Sequence, residues 1–167
     1  ASRGTDACGA MWRHLEDNTY WRWKSPKRTY DVALRVWESV IHKETAGGPL
    51  RWVALHARAA TQGPASNNAN NHPVAYRNIG VTHNGIIRND DEVFRKLGVK
   101  RRALVDTEAI SACIAVGGIA KAVELCEGSM SIAWADAKDP EALHLYTNGD
   151  SPLWASLADG WFSYAST

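Results

Sequence analysis

The first third of the chain contains stretches with the apolar patterns of strands and of a helix. Residues 8–12 and 20–24 are predicted strands, and the polar turn between them allows the two to pair. Residues 31–43 carry apolar side chains at nearly helical spacing, and a Gly-Gly-Pro sequence ends this predicted helix. Residues 50–57 are predicted as a strand buried on both faces, because their apolar residues do not alternate strictly with polar ones.

A long polar loop, residues 61–72, opens the middle third and is rich in asparagine. Loops of this length inside a compact domain usually carry function or are disordered. A short strand, residues 78–82, follows the loop and ends at His83-Asn84-Gly85.

Three helices are predicted next. The first is capped by Asp90 or Asp91 and ends at Gly98. The second is capped by Asp106 or Thr107, and the third begins after a Gly-Gly pair.

The last third is rich in predicted strands, which cover residues 129–136, 142–147, 153–157 and 161–165. Asn148-Gly149 and Asp159-Gly160 are predicted as hairpin turns between them. Strands, then helices, then strands are typical of an α+β layered sandwich. Because no repeat or linker is visible, residues 1–167 are predicted to form a single domain.

Composition and charge exclude several classes of function. Hydrophobic residues make up 45% of the 167 residues and charged residues 22%, which is ordinary for a globular domain. A formal net charge of +1 gives no electrostatic reason to expect nucleic acid or an acidic membrane surface as a partner. The most apolar stretch, residues 109–120, is too short to span a bilayer.

The three cysteines (Cys8, Cys113 and Cys126) are scattered and lack the spacing of a zinc site. An odd, scattered set of this kind argues against a disulfide framework and for a reducing compartment. We therefore expect a cytoplasmic protein without metal or cofactor.

Four short motifs occur in a fixed order along the chain: RGTDACG at 3–9, HARAATQG at 56–63, HNGIIRN at 83–89 and DTE at 106–108. Two weaker motifs follow, GSMSIA at 128–133 and NGDSPL at 148–153. Together they resemble the glutaminase domain of class II glutamine amidotransferases, which are N-terminal-nucleophile hydrolases. The resemblance implies a four-layer α/β/β/α sandwich of two mostly antiparallel sheets, and release of ammonia from L-glutamine.

The resemblance also implies roles for individual residues. The Asn84 side chain and the Gly85 backbone N–H correspond to the two donors of the oxyanion hole. Because Gly85 has no Cβ, its amide can approach the developing charge closely. Arg58 corresponds to the arginine that binds the α-carboxylate of glutamine. Asp106 corresponds to the carboxylate that binds its α-amino group.

Two further residues have implied roles at the same site. Thr61 lies in the substrate-binding motif, and Arg3 corresponds to an arginine that supports the nucleophile's end of the site.

Three positions depart from the family's motifs. Ala59 replaces a bulky aromatic residue, Gln62 replaces a histidine, and Asn71 replaces the alanine of an N-A-H-P loop. The first two are expected to change the wall of the pocket.

The family's nucleophile is an N-terminal cysteine whose own α-amine acts as the base. Its strand precedes the RGxDxxG motif in the family and is not in this sequence, so the chain is predicted to be truncated at both ends. Three alternatives follow from this. The chain is a glutaminase unit whose cysteine lies upstream and which feeds ammonia to a synthase partner. It is a non-catalytic binding or assembly module, for example a structural part of a phage particle. Or Cys8 becomes the nucleophile after removal of residues 1–7.

Tryptophan is abundant, with eight residues in the chain. Trp21 and Trp23 are predicted to share one face of a strand, with Arg22 and Lys24 on the other. The tryptophan face either packs into the core of the sandwich or contacts a partner protein.

Overall fold

The computed structural model describes residues 4–28 and 49–166. Its strands are β1 (Ala7–His14), β2 (Trp21–Ser25), β3 (Leu50–Arg58), β4 (Val74–Tyr76), β5 (Ile79–Ile87), β6 (Gly128–Asp136), β7 (Asp139–Thr147), β8 (Trp154–Ala158) and β9 (Trp161–Ala165). Its helices are α1 (Asp90–Leu97) and α2 (Thr107–Leu125), and a short 3-10 turn covers Asn68–Asn70. No helix within these ranges is long and apolar enough to cross a bilayer.

The first sheet has the strand order β2-β1-β3, and both pairings are antiparallel. The predicted pairing of the first two strands is therefore confirmed. The predicted helix over residues 31–43 lies outside the described residues. Trp21 is 47% exposed and donates from Nε1 to a carboxylate oxygen of Asp17, so packing into the core is the wrong interpretation for this side chain.

The second sheet has the order β4-β5-β6-β7, also antiparallel. One of its faces packs against α1 and α2 in a large apolar cluster that includes Ile87, Ile110 and Ile132. Its other face packs against the first sheet through a smaller cluster that includes Met11, Ala54 and Ala133. Sheet, sheet and helices thus form successive layers, which confirms the predicted α+β sandwich.

Two boundaries differ from the sequence prediction for a clear reason. His83-Asn84-Gly85 does not end a strand, because β5 continues through it to Ile87 and pairs with β6 along its whole length. Asn148-Gly149 is not a hairpin turn, because β7 pairs with β6 whereas β8 pairs with β9. Asp159-Gly160 does form the predicted hairpin, and both residues have positive φ.

The two later helices form α2, which is divided into two helical segments at the predicted place. Gly117 and Gly118 have non-helical backbone angles and kink the element there. At its other end, Asp106 caps α2 by accepting from Thr107 N–H, which brings the start of this helix to β5.

Candidate active site

A pocket of about 750 Å³ opens where β3, β5 and the start of α2 meet. Five of the six predicted site residues line it: Arg58, Thr61, Asn84, Gly85 and Asp106. The sixth, Arg3, lies outside the described residues. Ala59 also lines the pocket, as expected, whereas the expectation that Gln62 forms part of its wall is wrong, because Gln62 does not line it.

The pocket wall contributed by β5 presents Asn84 with a free carboxamide. The residue is half-buried, and its side chain makes no hydrogen bond with any residue in ranges 4–28 and 49–166. An amide in this state can donate to a bound ligand without first giving up a partner.

Gly85 is required by close packing as well as by its backbone conformation. Its φ is +147°, and a Cβ at this position would lie 2.1 Å from the carbonyl oxygen of Ser129. No side chain fits in that space. The glycine therefore lets β5 approach β6 at the pocket.

The direction of the Gly85 N–H follows from the hydrogen bonds around it. Opposite Gly85, Met130 directs both its N–H and its C=O to Asn148, away from β5. Two residues further along β5, Ile87 N–H bonds to a carboxylate oxygen of Asp106 at 2.7 Å. Because alternate residues of a strand direct their N–H groups to the same edge, the Gly85 N–H points to the Asp106 side of β5.

Arg58 is only 3% exposed, and the polar loop surrounds its guanidinium. Nη1 donates to the side-chain oxygen of Asn71 at 2.9 Å. Nη2 donates to the carbonyl oxygens of Gly63, at 3.0 Å, and of Gln62. Three hydrogen bonds leave part of the five-donor group for a ligand. Burial lowers the pKa of Arg58, and the nearby carboxylates of Asp6 and Asp106 oppose this shift.

Asp106 is 3% exposed and already has two backbone donors. One carboxylate oxygen accepts from Thr107 N–H at 2.9 Å, and the other accepts from Ile87 N–H. Its first role is thus to cap α2 and to fix the end of β5 beside it. Thr61, by contrast, is exposed at the rim of the pocket.

Three histidines (His56, His72 and His83) line the same pocket, although the sequence analysis gave none of them a role. The rings of His56 and His72 are 4.1 Å apart. His83 Nε2 lies 3.0 Å from the carbonyl oxygen of Ser129, and its Nδ1 lies 3.2 Å from the Thr107 hydroxyl. His72 Nε2 lies 2.9 Å from that same hydroxyl.

These contacts fix where the protons lie in the neutral cluster. A carbonyl only accepts, so His83 Nε2 carries the hydrogen and its Nδ1 accepts from Thr107. The Thr107 oxygen then accepts from His72 Nε2. The remaining nitrogen, His72 Nδ1, is a buried acceptor with no hydrogen-bond partner in the described part of the chain.

Burial keeps this cluster uncharged. Burial is the main reason why the pKa of His56 is lowered to about 3, and the neighbouring His83 and Arg58 contribute to this shift. Burial is also the main reason why the pKa values of His72 and His83 are lowered, although Asp106 raises that of His83. All three rings are therefore neutral near pH 7.

Metal ligation does not account for the cluster. Among the described residues, no group of three or more His, Cys, Asp or Glu side chains is arranged to hold a metal ion. All three cysteines are buried and outside any disulfide, and none lines the pocket. Cys8 lies within β1 and is 6% exposed.

Comparison with known proteins gives this geometry a context. Residues 56–167 match the family model of the glutamine amidotransferase domain. Glutamine–fructose-6-phosphate aminotransferase from Aquifex aeolicus is 29% identical over 95% of the chain, and that from Shouchella clausii is 28% identical over 94%. The chain spans only 27% and 26% of the length of these two relatives.

A solved structure supports the same fold. Glutamine phosphoribosylpyrophosphate amidotransferase from B. subtilis, solved with ADP and GMP, has a TM-score of 0.64 over 97% of this chain and 36% of its own. Its sequence identity is 18%, a level at which the likeness shows the fold alone. Because the family model covers well over half of the sequence, this chain belongs to the glutamine amidotransferase domain family.

Proposed function

We propose that the chain is the glutaminase unit of a larger enzyme and that its pocket hydrolyses the side-chain amide of L-glutamine to release ammonia. The observation that carries the proposal is the pair of donors on β5. The free Asn84 carboxamide and the Gly85 N–H, directed to the Asp106 side, are suited to stabilise the oxyanion of a tetrahedral intermediate.

The other predicted residues bind the rest of the substrate in this proposal. The remaining donors of Arg58 take the α-carboxylate, for which a guanidinium is the best-matched side chain. Asp106 adds negative charge where the α-amino group binds, while it continues to cap α2. Thr61 closes the rim. Arg3 keeps its proposed supporting role at the nucleophile's end.

The nucleophile comes from outside the set of three cysteines in this chain. Cys113 and Cys126 belong to the apolar core, and Cys8 is buried in β1 rather than lining the pocket. The Cys8 alternative therefore has no support. We propose instead that the N-terminal cysteine of the longer product enters the pocket and attacks the amide carbon, with its α-amine as the base.

Ammonia would pass to a synthase partner or to a synthase region of the same protein. The names of the two bacterial relatives describe an aminotransferase that acts on fructose 6-phosphate, and we propose that a synthase reaction of this type follows glutamine hydrolysis. Three buried thiols outside any disulfide suit a cytoplasmic setting. None of the relatives reported above is a particle component, so the assembly alternative has no observation in its favour.

The test is glutamate release from L-glutamine by the longer gene product beginning with cysteine, beside its Asn84→Ala variant. We expect kcat to fall by about 10²–10³-fold in the variant, because one oxyanion donor is lost. Asn67→Ala is the matched control, since Asn67 is exposed and outside the pocket, and it should keep wild-type activity. Full activity of Asn84→Ala, or no glutamate release by the folded product, would contradict the proposal.

A further inference from the structure

A second cavity, of about 310 Å³, lies beside the active-site pocket and has no role in the proposed function. The two share one segment of chain, since Ala69 and Pro73 line the second cavity whereas His72 lines the first. Its charged lining residues are Arg22, Lys24, Arg102 and Glu108.

The three cations of this cavity converge from two elements. Arg22 and Lys24 are two residues apart on β2 and therefore lie on the same face of that strand. Arg102 enters from the segment before α2, and its guanidinium lies 5.2 Å from the centre of the Tyr76 ring. This contact holds the positive group at the cavity by a cation–π interaction.

Lys24 Nζ has two acceptors, and both are neutral. It donates to the carbonyl oxygen of Asn71 at 3.0 Å and to that of Ala69 at 3.4 Å. The third ammonium hydrogen is left over. Within residues 4–28 and 49–166, none of the three cations forms an ion pair with a carboxylate.

Among the described residues that line the cavity, Glu108 is the only carboxylate, and it already accepts hydrogen bonds from the backbone. It is 1% exposed, and Oε2 accepts from the backbone N–H groups of Arg102 and Ala103 at 2.8 and 2.7 Å. Three cations and one carboxylate leave about two positive charges unbalanced in a partly enclosed space.

The pKa of Lys24 agrees with this excess of positive charge in the cavity. Burial, followed by the neighbouring charge of Arg22, lowers the pKa of Lys24 to about 8. A bound anion would provide the missing counter-charge and would favour the ammonium form.

We propose that this cavity is a binding site for a small phosphate-bearing anion. A phosphate dianion matches the two unbalanced charges, and its oxygens can accept from the free Lys24 hydrogen and from the two guanidinium groups. The volume accommodates the phosphate with a small organic group attached.

The site is connected to the glutamine pocket through the 69–73 segment. Asn71 accepts from Lys24 through its backbone oxygen and from Arg58 through its side-chain oxygen. Anion binding at Lys24 therefore acts on the residue that holds Arg58. The anion site itself does not depend on glutamine hydrolysis and can be tested separately.

The test uses the 167-residue chain, with inorganic phosphate and glycerol 3-phosphate as probes. Binding is followed by calorimetry and by the backbone amide signals of residues 69–72, 74 and 75. We expect a dissociation constant of about 1 mM or tighter for at least one probe. Tighter binding of the ester indicates a metabolite site, whereas equal binding indicates a site for free phosphate.

Charge-removing variants show whether the cavity is responsible. Arg22→Gln and Arg102→Gln change exposed side chains and should leave the fold intact, and each should weaken binding about tenfold or more. Lys24→Gln should do the same, with a circular-dichroism check of its fold. Lys100→Gln is the matched control, because it removes an exposed positive charge outside the cavity. Binding of neither probe, or equal binding by all the variants, would overturn the proposal.

Discussion

Asn71 holds the buried guanidinium of Arg58 in place at the pocket. It replaces the alanine of the family's N-A-H-P loop, and its side-chain oxygen accepts from Arg58. Its side-chain nitrogen donates to Ala65 and Asn68, which fixes the loop around the guanidinium. Gln62, in contrast, contacts Arg58 through its backbone oxygen, so the side-chain change at this position does not alter the contact.

Truncating Asn71 should therefore destabilise the protein more than truncating another asparagine of the loop. We expect Asn71→Ala to lower the free energy of unfolding by about 2–3 kcal/mol, because a buried charged donor loses its acceptor. Asn67→Ala, which removes one exposed side-chain contact to Ala69 N–H, should cost about 1 kcal/mol or less. Urea denaturation at 25 °C measures both. Equal losses would mean that Asn71 does not anchor Arg58.

Alanine substitutions at Gly85 and Gly98 separate the cost of steric crowding from the cost of a positive φ. Gly85→Ala places a methyl group 2.1 Å from the Ser129 carbonyl oxygen, whereas Gly98→Ala, at φ +62°, meets nothing within 4 Å. We expect Gly85→Ala to cost at least about 3 kcal/mol and Gly98→Ala about 1 kcal/mol. The check is the urea midpoint of each variant. Similar midpoints would show that the β5–β6 approach relaxes without cost.

At the scale of elements, Asp106 joins β5 to α2. Its two carboxylate oxygens serve one donor each, Ile87 N–H on the strand and Thr107 N–H on the helix. The end of β5 and the start of α2 are thereby held together at the pocket. This explains why residues far apart in sequence meet there.

Removing the Asp106 carboxylate should therefore destabilise both β5 and α2. We expect Asp106→Ala to cost about 2–4 kcal/mol, from a lost cap and an unpaired buried N–H. Asp106→Asn keeps one acceptor and should lose about half as much. Asp150→Ala, at an exposed site, is the control and should stay within about 0.5 kcal/mol of wild type. A fully stable Asp106→Ala would refute the double role.

The helices and strands were predicted from the sequence more accurately than the pairing of the strands. The pairing of β1 with β2 followed from a short connection and from alternation. The Asn148-Gly149 dipeptide has the residues of a hairpin, but pairing is decided by which sheet edge is near, and β7 already pairs with β6. His83-Asn84-Gly85 likewise has turn-like residues, and only the partner strand β6 shows that β5 continues through them.

The sequence predicted the pocket residues that belong to short local motifs. The motifs named five residues that line the pocket, at or just after the end of β3, within β5 and at the start of α2. The histidine cluster was not predicted, since His56, His72 and His83 come from three separate segments. The contact of His72 and His83 through Thr107 depends on tertiary packing and has no signal at any one position.

For the whole molecule, the neutral histidines set how stability depends on pH. The unfolded chain protonates histidine near pH 6.5, whereas the folded pKa of His56 is about 3 and those of His72 and His83 are also lowered. Below pH 6.5 the unfolded state therefore binds more protons, and the free energy of unfolding falls as the pH falls.

We expect a loss of up to about 2 kcal/mol for each of the three histidines between pH 8 and pH 5. Urea denaturation at several pH values measures it. His56→Gln should flatten the dependence by one histidine's share. A stability that is constant from pH 8 to pH 5 would show that the cluster accepts protons without strain.

The β8–β9 hairpin has a consequence for how the pocket opens. In the described part of the chain it pairs with no third strand, and its five β8 residues are all exposed. A lone two-stranded ribbon is marginally stable in water, so its amides should exchange with solvent well before those of the four-stranded sheet. Tyr164, Ala165 and Ser166 of this region form one wall of the pocket. We expect local opening of the hairpin to move this wall while β5 and its two donors stay in place.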